Sequence, residues 1–200
     1  MATLEFFFDC SSPWTYLAFT RIQPVAARTG AAIVWKPILV GGVFNAVNRD
    51  VYERRANPDP RKAAYSAKDL KDWARLTGLK IVMPPPVFPV RATLAMRCAL
   101  AAQEEGKVVE FSRSCFESYW SDGEDISRPE VLSQVCAAAG LNAQRILARA
   151  QDEAIKNGLR ANTDEVIARG GFGSPTMFVN TTDMYFGNDR MELVEAALSR

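Results

Sequence analysis

Phe6-Phe7-Phe8-Asp9-Cys10-Ser11-Ser12-Pro13-Trp14-Thr15-Tyr16 is the stretch on which the reading of this 200-residue chain turns. Leu4 to Phe8 is a short apolar run of the length expected for a buried strand, and it stops at a polar tip. Ser12 suits an N-cap and Pro13 the first helical position, so a helix is predicted from there to about Arg28. Thr29-Gly30 closes it, and Ala31 to Pro37, with Ile33, Val34 and Trp35 at its centre, reads as a second strand. Strand, helix, strand over this length is a βαβ unit, so the two strands are expected to be parallel with a right-handed crossover. Ser12 and Thr15 flank Pro13-Trp14 at the C-x-x-C spacing of dithiol redox proteins. With hydroxyls in both places, the chain has no dithiol of its own there.

Outward from this unit the character changes. Ile38 to about Arg61 is punctuated by Gly41-Gly42, Asn45, Asn48, Asn57-Pro58 and Asp59-Pro60 and reads as a long, functional or disordered loop. Helical patterns follow over Arg61–Thr77, Pro89–Gly106, Val108–Trp120, Arg128–Ala139 and Ala143–Gly158, with Gly78, Gly106, Gly140 and Gly158 as stop signals. Pro84-Pro85-Pro86 is a stiff connector. A further helix from Leu159 to about Ala168 leads to Gly170-Gly171-Phe172-Gly173 and a strand from Ser174 to Val179. Asn180 to Asp183 turns into a return strand, Met184 to Phe186, before a last helix from Asp189 to near Leu198. The assembly is α/β: a thioredoxin-like βαβ…ββα sheet interrupted by an all-helical insertion. Residues 1–40 and 159–200 would form the thioredoxin-like domain, and 41–158 the connecting loop and helical insertion domain.

Composition narrows the chemistry. Hydrophobic residues make up 48% and charged residues 24%, as in a globular protein, and the net charge of +1 gives nucleic acid or an anionic membrane no purchase. Apolar runs fall far short of the roughly 18 residues of a spanning helix. No basic n-region precedes the first strand, so a reducing, cytoplasmic setting is expected. Cys10, Cys98, Cys115 and Cys136 are scattered, which supports neither a disulfide framework nor a zinc site and reads as packing. The absence of histidine excludes Ser-His-Asp and Cys-His nucleophile systems and removes imidazole metal ligands, so no metal is expected. Any nucleophile must have a lowered pKa or be brought in by a cofactor.

Ser12 alone marks an N-cap. Its position at a helix N-terminus also favours an anion, including the thiolate of a bound thiol such as glutathione. Ser174-Pro175 tilts the balance toward the second reading, because thioredoxin folds place a cis-proline at a strand start after such a turn. The residue before it then offers its main chain to an extended, peptide-like ligand; an ordinary trans edge-strand proline is the alternative. Asn188 or Asp189 caps the last helix, and the same helix start suits the carboxylate and ammonium of a γ-glutamyl group. Asn48 and Lys62 come from the long loop and the helix after it; Lys62 is either solvated or a point charge for a carboxylate. Trp14, Tyr16, Phe44 and Trp120 either wall an aromatic pocket or fill the core. Cys10 reads as packing and not as a reactive thiol.

Phe8-Asp9 through Ala18, Lys36-Pro37 through Gly42, Gly173-Ser174-Pro175-Thr176 and Gly187-Asn188-Asp189-Arg190 together resemble the 2-hydroxychromene-2-carboxylate isomerases and their relatives, the kappa-class glutathione transferases. The resemblance covers essentially the whole chain. It implies a homodimer with glutathione bound between the two domains. It also implies a serine, Ser12, bonding the glutathione sulfur, Ser174-Pro175 on the cysteinyl backbone, Asn188 and Asp189 on the γ-glutamyl group, and Asn48 and Lys62 lining the site. Two departures stand out: Ser174 occupies a place where a larger apolar residue is common, and Val43–Pro60 aligns poorly. The activity implied is glutathione-dependent isomerisation of 2-hydroxychromene-2-carboxylate, or a similar catabolite of naphthalene-type aromatics, to trans-o-hydroxybenzylidenepyruvate by reversible thiolate addition. A kappa-type transferase that conjugates electrophiles and a non-catalytic glutathione-binding module are the alternatives.

Overall fold

Three consecutive phenylalanines need apolar partners on both faces of a strand, since successive side chains point in opposite directions. The computed structural model, which describes residues 2–200, supplies both faces. Strand β1 (Thr3–Phe8) lies inside a four-stranded sheet of order β2-β1-β3-β4, with β2 (Ala32–Pro37), β3 (Thr176–Val179) and β4 (Asp183–Phe186). β1 pairs parallel with β2 and antiparallel with β3. Phe6 and Phe8 pack against Trp35, with ring centroids 5.3 and 6.0 Å apart, and Phe8 also meets Phe19 at 6.3 Å. Phe7 points the other way, onto Phe178 at 5.7 Å, in a smaller cluster with Ile38, Val43 and Val166. Burial on both sides makes the run continuously apolar rather than alternating.

Helix α1 (Pro13–Thr29) is capped by Ser12 and closed by Gly30 in the left-handed region (φ 67°). It joins β1 to β2 as expected for the βαβ unit. The segment expected as a loop contains two short helices, α2 (Val40–Val47) and α3 (Asp50–Ala56), before α4 (Pro60–Thr77). Apolar periodicity does not announce them: α2 buries only Val43 and α3 buries nothing. α5 (Thr93–Glu104) begins later than the sequence reading placed it, and α6 (Val108–Phe116) ends in a π-turn, Glu117–Ser121. α7 (Pro129–Ala138), α8 (Ala143–Arg149) and α9 (Glu153–Ala168) complete the inserted helices.

Gly158 does not stop a helix. The break falls at Ala150–Asp152, and α9 runs through Gly158, so the 158/159 boundary lies inside a helix. Buried Ile155, Leu159 and Val166 hold α9 in place, against the roughly 1 kcal/mol that an interior glycine costs a helix. A single buried apolar cluster runs from β1 and α1 through α5–α9 and into α10 (Met191–Leu198). All four cysteines are free and buried. Among the described residues no helix is long and apolar enough to cross a membrane, and no Cys, Asp and Glu cluster fits a metal ion.

The turn into β3 has no space to spare. A Cβ on Gly171 would stand 2.5 Å from Val166 Cγ2 and 2.8 Å from the Val166 carbonyl oxygen. Gly171→Ala is therefore expected to lower stability by about 1–3 kcal/mol, read as a loss of roughly 2–4 °C in Tm per kcal/mol. A thermal unfolding curve matching the wild type would show that the α9–β3 turn yields freely.

Candidate active site

The tip of β1 and the turn before β3 meet at Asp9, Ser12, Thr15 and Ser174. The Ser174-Pro175 peptide bond is cis. The Ser12 hydroxyl accepts from the Thr15 amide and donates to the Ser174 carbonyl oxygen, both at 3.2 Å. Thr15 Oγ1 and Ser174 Oγ share a hydrogen bond of 2.8 Å, and Ser174 Oγ accepts the Asp9 amide at 3.0 Å. The two hydroxyls at the C-x-x-C spacing thus differ. Ser12 is half-buried and reaches the cavity; Thr15 is fully buried beneath it.

Asp9 organises the surroundings. One carboxylate oxygen accepts the amide and hydroxyl of Ser11, both at 2.8 Å, and the other accepts the Val40 amide at 2.8 Å. The carboxylate thereby holds the start of α2. Burial pushes its pKa above the ordinary range, opposed by the hydrogen bonds from Ser11 and Val40. The neighbouring Cys10 is buried; its thiol is pushed up by burial and by Cys115, which leaves it a packing group.

A cavity of about 640 Å³ opens in front of Ser12, within the roughly 300–1,000 Å³ of small-molecule sites. Its lining is drawn from Ser12, Pro13 and Trp14, from Val40, Gly41 and Phe44 of α2, from Phe88 and Pro89, and from Phe172, Gly173, Ser174 and Phe186. Gly173 lets Phe186 close the floor, because a Cβ there would stand 2.8 Å from the Phe186 ring. Asn48 lines the cavity and donates from Nδ2 to the Phe172 carbonyl oxygen at 3.0 Å. Among the described residues, the only charged side chains on the lining are Arg54 and Arg55.

The other residues singled out from the sequence divide. Ser174 lines the cavity. Asn188 and Asp189 are not on the lining and do not cap the last helix, whose N-cap is Arg190. They follow Phe186, which does line the cavity, in a 3-10 turn (Asn188–Arg190) after Gly187, whose amide bonds the Pro175 carbonyl oxygen at 3.2 Å. Asn188 is buried, its carbonyl accepts Arg21 at 2.5 Å, and its Nδ2 has no hydrogen-bond partner. Asp189 is exposed and paired with Arg190. Lys62 stands off the cavity, exposed in the first turn of α4, where the Asp59 side chain caps its amide at 3.0 Å.

Of the four aromatics, Trp14 and Phe44 line the cavity. Tyr16 and Trp120 belong to the core instead: Tyr16 stacks on Phe116 at 5.1 Å, and Trp120 Nε1 donates to the Cys10 carbonyl at 2.9 Å. The sequence reading did not single out Arg54, Arg55, Phe88, Phe172 or Phe186. Only the adjacent Arg54-Arg55 pair, beside a long polar segment, offered a signal.

These elements agree with what the chain is similar to. The family described as the DSBA-like thioredoxin domain matches residues 3–199. A glutathione S-transferase kappa 1 from Caenorhabditis elegans is 28% identical over 210 residues, which is 98% of this chain and 91% of the relative. A 2-hydroxychromene-2-carboxylate isomerase from Sphingobium xenophagum is 27% identical over 203 residues, 98% of this chain and 97% of the relative. The solved structure of a 2-hydroxychromene-2-carboxylate isomerase superposes with a TM-score of 0.80 at 25% identity, covering 99% of this chain and 95% of that one.

Removing the Asp9 carboxylate has two separable consequences. Asp9→Ala leaves the Ser11 and Val40 amides without their acceptor, at an expected cost of about 1–3 kcal/mol near neutral pH. Because the folded pKa is raised, the folded wild type binds the extra proton between the unfolded value of 3.8 and its own pKa. Asp9 therefore makes stability fall as pH rises through that window. Urea denaturation across the window should show this slope in the wild type and its loss in the variant; parallel pH profiles would mean that Asp9 titrates normally.

Proposed function

Because the chain belongs to the DSBA-like thioredoxin domain family, yet holds Ser12 and Thr15 where a dithiol would stand, we propose that it is an enzyme that works through the thiol of glutathione. The observation that carries the reading is the Ser12 hydroxyl at the N-terminus of α1, on the lining of a cavity that, among the described residues, has no acidic side chain. The residues present suit the tripeptide. Ser12 would hold the sulfur, Ser174-Pro175 the cysteinyl main chain, and the partnerless Nδ2 of Asn188, with Asp189, the γ-glutamyl end. Asn48 borders the same space, and nothing in the assignment depends on Lys62.

Bound glutathione would supply a nucleophilic thiolate at a conjugated carbon of the second substrate. The task of the chain is to favour that thiolate and exclude water. Ser12 can turn its proton from the Ser174 carbonyl toward sulfur, giving up a hydrogen bond worth about 1 kcal/mol for a charge-assisted one roughly twice as strong. The α1 N-terminus adds about 0.3–1 kcal/mol at exposed sites and up to ~2 when partly buried. Together these lower a thiol near 8.5 by about one to two pKa units, toward neutrality. Trp14, Phe44, Phe88, Phe172 and Phe186 give the second substrate an aromatic enclosure that holds it beside the sulfur.

The finer reading is isomerisation of 2-hydroxychromene-2-carboxylate or a similar aromatic acid, with release of glutathione unchanged. The likeness to kappa-class transferases favours, as a second reading, conjugation with release of a thioether. Product analysis separates them, because only conjugation depletes glutathione. A homodimer in a reducing, cytoplasmic setting belongs to the same proposal; the four free cysteines suit that setting.

Ser12→Ala is expected to reduce turnover about a hundredfold or more and to raise the pH at which bound glutathione shows thiolate absorbance. Loss of the cap should cost about 0.5–2 kcal/mol of stability. Full activity in the folded variant would overturn the role of Ser12, and a wild type that binds no glutathione at millimolar concentration would overturn the whole reading.

A further inference from the structure

We infer that Arg55 binds the carboxylate of the second, electrophilic substrate and makes the cavity selective for aromatic acids over neutral aromatics. Arg55 lies in the last turn of α3, within the segment that the sequence reads as loop. Its guanidinium carbon stands 5.6 Å from the Phe44 ring centroid and 5.9 Å from that of Phe88, both within the roughly 6 Å at which a cation is drawn to an aromatic face. Phe44 and Phe88 both line the cavity and come from different segments of the chain. The guanidinium is therefore drawn over the aromatic rings although the residue itself is exposed at the mouth of the cavity.

Charge balance makes this position distinctive. Among the described residues Arg55 has no ion pair, and no carboxylate lies on the cavity lining to neutralise it. Arg54 is less suited, since it also faces Asp50 and Glu53 in a separate surface groove. An aromatic acid answers both features at once: its ring meets Phe44 and Phe88, and its carboxylate takes the paired N–H groups of the guanidinium. Lysine at this position would present a point charge without the fork or the stacking.

Glutathione also carries carboxylates, so the test separates the two sources. The inference rests on the glutathione reading only in calling the acid a second substrate; its test is direct binding. Titration of the apoprotein with trans-cinnamate and with its neutral amide should show the acid binding roughly tenfold or more tightly, the difference shrinking as ionic strength rises. Arg55→Gln should abolish the difference, Arg55→Lys should retain part of it, and glutathione affinity should be unchanged in both. Equal binding of acid and amide to the wild type, no saturable cinnamate binding at millimolar concentration, or an undiminished preference in Arg55→Gln would each overturn the proposal. Glutathione affinity falling together with cinnamate affinity would also overturn it and assign Arg55 to the tripeptide. A protein that binds cinnamate selectively but not glutathione would sink the glutathione reading and leave Arg55 standing.

Discussion

A carboxylate buried at the end of a strand has to be surrounded by donors, and the donors around Asp9 come from segments far apart in the chain. Its side chain takes amides from Ser11 and Val40, its own amide goes to Ser174 Oγ, and its carbonyl accepts the Ser12 amide at 3.2 Å. The start of α1, the start of α2 and the turn before β3 are thereby brought to one point. Without Asp9 the part-buried Ser11 and Val40 amides would lose their acceptor, at about 1–3 kcal/mol per group. Three walls of the cavity begin at these three segments. The site is consequently as well fixed as the strand end it grows from, which is what positioning chemistry requires.

The elements that carry strong local signals were readable before the structure. The Phe6-Phe7-Phe8 run, the Ser12-Pro13 helix start and the Gly-rich turn into Ser174-Pro175 each match what they form, because local propensity and tertiary role agree there. α2 and α3 were not readable for the opposite reason. They bury one residue between them, so no apolar stripe marks them, and α2 starts where Asp9, more than thirty residues upstream, binds the Val40 amide. Gly158 misled because its stop signal is local, whereas the burial of Ile155 and Leu159 that overrides it is tertiary.

The candidate site was legible to the same extent and for the same reason. Ser12 and Ser174 sit in a recognisable cap and turn, whereas Asn48, read within a long loop, was singled out only through the family resemblance; all three line the cavity. Arg55, Phe88, Phe172 and Phe186 arrive from four separate stretches with no shared spacing, so only folding shows that they face one space. Lys62 illustrates the reverse case: its residue type suited an anion, but its helix carries it outward.

Thr15 explains why the exchange of thiols for hydroxyls need not have emptied the site of function. A second cysteine in a dithiol site serves to resolve a mixed disulfide, and it must be reachable by the first. Here the corresponding hydroxyl is buried and shares its hydrogen bond with Ser174 Oγ, which in turn accepts the Asp9 amide. It has become part of the clasp that orients the turn. Ser12 holds the half-buried position at the helix N-terminus that reaches the cavity, with oxygen in place of sulfur. Under the proposed function the thiolate comes from outside, and a thiol that arrives from outside can also leave unchanged. That property is what a catalyst needs when the sulfur is to be added to a substrate and then withdrawn.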